Sequence, residues 1–346
     1  MNADVAFAKG KIHLVCQDYA AAEVTESGVT VLVSDGCSGS PHTDFGARIL
    51  TQCALINLPL LKAWPVSQAV ALATGDDAVV AEDDPDAPVD TVVNGNMDSC
   101  EIPAQTYEAN REAFLTTTLH DASNTIRALK LRPQCLDATL IILRADETSY
   151  HAEVYGDGAI VVGYADGSMR VTLVDYPSNF PEYLSYRLDE NRMQRYEAIL
   201  QNDCEKEQRQ GPILVTTFRI PKAADTPEAA RQNPRHAQEI EERYLERGEV
   251  IIVAGNCKGG TTTAEDVRWV AALSDGLQTF HQIIPEGGAK VRVPIALEAV
   301  LIALLDFRSM NGQFVQRQFQ WFLREAARRG WMHDDDLSVG VVEVAS

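Results

Sequence analysis

Val29-Thr30-Val31-Leu32-Val33 is a β-branched, apolar run that stops at Ser34-Asp35-Gly36, the pattern of a buried strand ending in a turn. The period then changes. Phe45, Ile49, Leu50, Cys53 and Ile56 recur at spacings of three and four behind Thr43, which predicts a helix over 43–61 with Thr43 as its N-cap. A second helix is expected over 108–131, and Ala138-Thr139-Leu140-Ile141-Ile142-Leu143 returns the pattern to strand within 137–144. Three further apolar runs, 152–155, 159–164 and 169–174, are separated by Gly156-Asp157-Gly158 and Ala165-Asp166-Gly167-Ser168, the spacing of antiparallel hairpins.

Two stretches break this rhythm. Residues 74–103 are acidic and rich in Asp, Pro and Asn without periodicity, and read as an exposed loop insertion. Residues 178–248 mix polar helical stretches, 237–247 among them, with a strand over 212–219 and a connector rich in Lys, Pro, Ala and Asp; an insertion or flap is expected there. Strands follow over 249–254 and 267–273, helices near 293–306 and 314–329, and a closing strand over 337–344 entered through Asp334-Asp335-Asp336. No internal repeat is evident. Strands gathered in the first half and at the end, with helices between, suit an α+β fold of one domain over 1–346 better than a strictly alternating parallel sheet.

Composition narrows the function. The chain has 346 residues, 45% hydrophobic and 23% charged, values of a globular protein with a real core. Acidic residues outnumber basic ones 50 to 30, a net charge of −20 that argues against nucleic acid and anionic membranes as partners. No run approaches the roughly 20 apolar residues of a membrane helix, and the N-terminus lacks a basic start before an apolar run. The seven cysteines are scattered without a CxxC pair, so reduced thiols and a cytoplasmic location are expected.

The chemistry lies where apolar strands meet aspartate: Cys16-Gln17-Asp18, Ser34-Asp35-Gly36, Ser274-Asp275-Gly276 and Asp335-Asp336-Leu337-Ser338-Val339. Any one of these is an ordinary turn, because an Asp side chain bonds its own backbone cheaply. Together they differ. Carboxylates gathered at neighbouring strand ends repel one another, and a hard dication such as Mg²⁺ or Mn²⁺ relieves the repulsion. Two such ions about 4 Å apart can activate a water for in-line attack on phosphorus.

The order Gln-Asp, Ser-Asp-Gly, Gly-Asp-Gly, Ser-Asp-Gly, Asp-Asp-Leu-Ser-Val resembles the motif series of the PP2C (PPM) family of protein serine/threonine phosphatases, in its bacterial branch. Asp44-Phe45-Gly46-Ala47-Arg48, Asp137-Ala138-Thr139 and Tyr155-Gly156-Asp157-Gly158 match supporting elements, and the match runs from about residue 9 to 344. The resemblance implies a four-layer αββα sandwich of two antiparallel sheets flanked by helices. It implies two Mn²⁺ or Mg²⁺ ions, a third being left open. Asp35 would bridge them, the Gly36 carbonyl would bind one, Asp275 and Asp335 would ligate an ion shared with Asp35, and Asp18 would act through metal-bound water. The implied substrate is a phosphorylated protein, hydrolysed at phosphoserine or phosphothreonine. Oligomeric state stays open.

Two positions depart from the family pattern. Gln17 stands where many members carry an acidic residue, and His13, five residues before Asp18, stands where many carry a phosphate-gripping arginine. Histidine can donate to phosphate but lacks the planar fork of arginine, and Lys9 or Lys11 could assist. A weakly active or inactive pseudophosphatase serving as a binding module is therefore the alternative, with an unrelated metal-dependent hydrolase built on parallel sheets behind it. His42 is read either as an acid for the leaving group or, preferentially, as an exposed histidine where the first helix begins. Cys16 and Cys37 read as small buried residues, Asp157 as a hairpin turn, His333 as a surface neighbour of the site, and Arg324, Arg328 and Arg329 as a solvated helix face.

Overall fold

The computed structural model describes residues 1–62, 104–222, 237–247, 251–257 and 266–344. The acidic stretch 74–103 lies outside them. In chain order the chain forms β1 (Asn2–Ala8), β2 (Tyr19–Thr25), β3 (Gly28–Ser34) and α1 (Thr43–Lys62), then α2 (Ala104–Ala128), β4 (Leu140–Ala145), β5 (Ser149–Tyr155), β6 (Gly158–Tyr164) and β7 (Met169–Asp175). It continues through α3 (Glu190–Glu207), β8 (Ile213–Ile220), β9 (Gln238–Leu245), β10 (Ile251–Asn256), β11 (Val267–Leu273), β12 (His281–Glu286) and β13 (Ala289–Pro294). Helices α4 (Leu297–Leu304) and α5 (Phe314–Arg328) precede β14 (Trp331–Met332) and β15 (Leu337–Glu343).

Two antiparallel sheets carry the fold: β1-β15-β11-β6-β7-β8-β9 and β10-β5-β4-β3-β2, with a small β13-β12-β14 sheet beside them. Strand alternation sorts the core into layers. Val31, Val33, Ile141 and Leu143 point inward and meet Ile160, Val162, Val270, Ala272 and Val342 of the larger sheet. Leu32, Leu140 and Ile142, one residue out of phase, point outward onto Leu50, Leu58, Phe114 and Leu115 of α1 and α2. On the other flank Val161, Ala271, Leu273, Val339 and Val341 meet Val300, Leu301, Phe319 and Phe322 of α4 and α5. The result is the four-layer αββα sandwich.

The region expected as a flap differs from its sequence reading in one element. Residues 237–247 carry strong helix formers, Gln-Glu-Ile-Glu-Glu-Arg-Tyr-Leu-Glu, yet 238–245 form β9, paired antiparallel to β8 from Leu245↔Ile213 to Gln238↔Arg219. An unpaired strand edge offers a row of backbone donors and acceptors, which outweighs a propensity of a few tenths of a kcal/mol per residue. Thus β8 and β9 extend the larger sheet, while α3 stands outside it. Asp189 caps α3, its carboxylate accepting from the Asn191 and Arg192 N–H groups at 3.0 and 3.2 Å. Strands β1, β2, β12 and β13 also escape the sequence reading. β1 and β2 are alanine-rich and become strands by pairing with β15 and β3.

Candidate metal and phosphate site

Antiparallel pairing brings the aspartates to one edge of the sandwich. Tyr19 pairs with Ser34, so Asp18 enters β2 where Asp35 leaves β3. Leu273 pairs with both Val339 and Ala159, which sets Asp275, Asp335 and the Asp157 turn at the same end of the neighbouring sheet. Gly276 makes one of these approaches possible: a Cβ there would lie 1.7 Å from the Asp336 carbonyl oxygen.

Each loop is pinned by its neighbours. The Ser34 hydroxyl donates to the Thr139 carbonyl at 2.7 Å, the Asp35 N–H donates to Thr139 Oγ1 at 3.0 Å, and the Thr139 N–H returns to the Asp35 carbonyl at 2.8 Å. Ser274 Oγ donates to Asp18 Oδ2 at 2.7 Å and accepts the Ser338 N–H at 2.9 Å. Asn179, on the segment between β7 and α3, donates its amide to Asp275 Oδ2 at 3.2 Å. The partner oxygens, Asp18 Oδ1 and Asp275 Oδ1, are buried and accept no hydrogen bond.

The electrostatics follow from this crowding. Burial, then Asp18 and Asp275, push the Asp35 carboxyl well above its ordinary range. Burial pushes Asp18 up to about 7 despite the Ser274 hydroxyl, and burial with Asp275 pushes Asp335 to about 6. Asp157, read as a plain turn residue, is 5% exposed, and burial followed by the Asp275 charge raises it strongly. It belongs to the cluster. In the sequence it stood out only as a Gly-Asp-Gly between two strand-like runs; both strands are buried almost throughout, which leaves the turn carboxylate little access to water.

Five carboxylates from five chain segments, two with orphaned buried oxygens, make an array that a divalent cation would neutralise. Among the described residues, no group of three or more His, Cys, Asp or Glu side chains is arranged to hold a metal ion as it stands. An open array fits hard cations that keep several waters and take few carboxylates.

The remaining sequence candidates divide. His13 lies against the aspartates, Nδ1 3.0 Å from Asp336 Oδ2 and Nε2 3.4 Å from Asp335 Oδ1, although Nδ1 makes no aligned hydrogen bond. Gln17 turns its amide to Thr43 Oγ1 at 2.7 Å. Lys9 Nζ is taken by the His13 carbonyl at 2.6 Å, and Lys11 Nζ sits 3.0 Å from Met332 Sδ. His42 is exposed with φ +62°, its carbonyl accepting the Phe45 and Gly46 N–H groups as α1 begins. The Gly36 backbone bridges Ala138 beside Asp35. Cys16 and Cys37 are half-buried rather than buried, and burial pushes the Cys16 thiol up to about 12. His333 stacks on Phe280 with centroids 5.0 Å apart. Arg328 and Arg329 pair with Glu325 on the exposed side of α5.

The sequence reading quoted Asp336 within the last aspartate motif but gave it no role of its own. It is fully buried and accepts the Gly10 and Gln17 N–H groups at 2.6 and 2.5 Å, holding the 10–17 loop onto the segment between β14 and β15 that carries Asp335. Nothing in the local sequence separates it from its two neighbouring aspartates.

Solved structures similar to this one include the serine/threonine phosphatase PstP/Ppp of Mycobacterium tuberculosis, at 12% identity and a TM-score of 0.42 over 100% of this chain and 99% of that chain. The serine/threonine phosphatase Stp1 of Staphylococcus aureus matches at 10% identity and 0.43, covering 99% and 95%. Serine-threonine phosphatase 2C of Toxoplasma gondii matches at 12% identity and 0.46, covering 99% and 94%. No protein of curated function matches the sequence. The family model for protein phosphatase 2C matches residues 11–286, well over half the chain and across the Asp18, Asp35, Asp157 and Asp275 motifs. The chain therefore belongs to the protein phosphatase 2C family.

Proposed function

We propose that this protein is a metal-dependent phosphatase that hydrolyses phosphoserine and phosphothreonine on proteins, using two Mn²⁺ or Mg²⁺ ions. The observation that carries the reading is the convergence of Asp18, Asp35, Asp157, Asp275 and Asp335 at one sheet edge, with Asp18 Oδ1 and Asp275 Oδ1 buried and unpartnered. Asp35 would be shared between the ions, with Asp275, Asp335 and the Gly36 carbonyl completing the protein's share and Asp18 acting through water. Bound there, the ions supply a water of lowered pKa and screen the phosphate charge. Ser274 orients Asp18, and Asn179 orients Asp275. A covalent phosphoenzyme through Cys16 is disfavoured, because its thiol is held far from the thiolate form.

A second reading, a phosphatase-like binding module with little turnover, draws support from the cations. Lys9, Lys11 and His13 all face protein atoms rather than a free phosphate position. Hydrolysis of p-nitrophenyl phosphate with Mn²⁺, with Mg²⁺ and with EDTA, alongside Asp35→Asn, separates the two. Metal-dependent turnover lost in the variant supports the enzyme, and a folded protein inert with every metal supports the binding module.

A further inference from the structure

The loop between β1 and β2 ties its polar side chains down locally. Lys9 Nζ donates to the Gly10 and His13 carbonyls at 3.1 and 2.6 Å and Lys11 Nζ sits beside Met332, both lysines staying exposed, while His13 turns to Asp335 and Asp336 and Gln17 to Thr43. Its apolar side chains turn outward, with Ile12 68%, Leu14 98% and Val15 52% exposed. A lone exposed leucine needs no explanation. Three apolar residues within four positions of a rigid loop, on a chain of net charge −20, do need one.

The loop is not free to bury them. The Lys11 and Ile12 N–H groups donate to the His333 and Asp334 carbonyls at 3.1 and 3.3 Å, and the Gly10 and Gln17 N–H groups are held by Asp336. Gly10 presses so closely on this segment that a Cβ would lie 2.2 Å from the Asp334 carbonyl oxygen. The apolar lip is thus fixed to the segment bearing Asp335 at one end and runs into Asp18 at the other, so it borders the carboxylate cluster directly.

We propose that Ile12, Leu14 and Val15 form a specificity lip that seats an apolar side chain flanking the phosphorylated residue of a protein substrate. This rests on the phosphatase reading. A polypeptide delivering its phosphoryl group to Asp18 and Asp335 passes the loop joining them, where Leu14 stands 98% exposed while the Lys9 and Lys11 heads fold back along the protein onto the His13 carbonyl and Met332. The lip therefore selects by apolar contact, with the chemistry left to the aspartates.

The test uses two phosphothreonine peptides that differ only in their flanking residues, Leu and Val in one and Ser in the other. The readout is the ratio of their kcat/KM values in the wild-type protein and in the Leu14→Ser/Val15→Ser variant. The wild type should prefer the apolar peptide by about tenfold, and the variant should bring the ratio close to one. Equal ratios in the two proteins overturn the inference, as does a wild-type ratio near one. A protein that hydrolyses neither peptide nor p-nitrophenyl phosphate refutes the underlying phosphatase reading instead. The same ratio is then taken from Kd values by fluorescence anisotropy and decides the lip by the same criteria. A wild-type dimer that the variant dissolves in sedimentation, with the ratio unchanged, would make the lip a self-association surface and also overturn the inference.

Discussion

The side-chain amide of Asn179 donates to Asp275 Oδ2 at 3.2 Å and leaves Asp275 Oδ1 buried and unpartnered. Ser178 and Asn179 both adopt left-handed conformations, φ +54° and +50°, costly for side-chain-bearing residues and tolerated where surrounding contacts hold them. The segment before α3 therefore stores strain to aim one amide at one carboxylate. Replacing Asn179 with Gly should relieve the strain but release Asp275, weakening Mn²⁺ affinity by about tenfold while the melting temperature holds or rises. Calorimetric titration with Mn²⁺ and a thermal melt check both halves. Unchanged affinity would show that Asn179 is merely a turn residue.

The carboxylate cluster couples stability to pH in the metal-free protein. Asp18 titrates near 7 and Asp335 near 6, against a reference of 3.8. Between about pH 4 and 7 the folded state thus binds more protons than the unfolded state, so these groups lower stability as pH rises. Saturating Mn²⁺ should raise the melting temperature little at pH 5 and much more at pH 7.5. Asp35→Asn removes a charge from the centre of the cluster and should melt higher than wild type in EDTA at pH 7.5, while losing the gain from Mn²⁺. A variant that melts lower in EDTA would contradict the repulsion on which the candidate site rests.

Asp336 is predicted to act on the loop rather than on the metal. Asp336→Ala strands the Gly10 and Gln17 N–H groups and removes a buried charged acceptor, a loss of about 3 kcal/mol. Denaturant unfolding measures it. Proteolysis should nick the variant within 10–17 before any other described loop. Wild-type stability would mean that the loop is held by its backbone contacts with His333 and Asp334 alone.

A second buried polar group lies away from the site, between the five-stranded sheet and α2. Glu153 Oε1 accepts the Tyr107 hydroxyl at 2.5 Å, and Oε2 accepts the Tyr155 hydroxyl. Tyr107 also lies 3.1 Å from His151 Nε2. Burial depresses His151 to about 4 from 6.5, with Arg144 and Arg111 opposing and Glu153 favouring its protonation. The unfolded state then binds more protons between about pH 4 and 6.5, so stability is full above that window and falls as pH drops through it, by up to about 3 kcal/mol. His151→Gln should flatten this acid limb in pH-dependent denaturation. An unchanged acid limb would place the loss elsewhere.

Much of the fold was legible because its signals are local. The β-branched run before Ser34-Asp35-Gly36 and the three- and four-residue spacing behind Thr43 lie within single elements, where side-chain periodicity reports which face is buried. The edge strands were not legible. Alanine-rich β1 and β2 have no strong strand preference of their own and β9 carries a helical one; all three adopt strand because β15, β3 and β8 present edges to pair with.

The site divides on the same line. Asp35, Asp275 and Asp335 could be picked out because each sits where an apolar strand meets a turn, and Asp18 because it follows the apolar run 12–15, although that run folds as a loop rather than the strand expected; a carboxylate set in that order already demands a cation if it converges. Convergence itself came from strand register, which joins residues far apart in the chain: Gly10 and Gln17 reach Asp336 across separations of 326 and 319 residues. Only that packing made Asp157 a cluster member rather than a plain turn residue, turned Gln17 to Thr43, and pressed His13 against two aspartates. The sequence determined which groups are available and what chemistry they can perform. Burial and distance, which no local pattern encodes, decided which of them face the cation, which hold the loops, and which are left apolar and exposed at the rim.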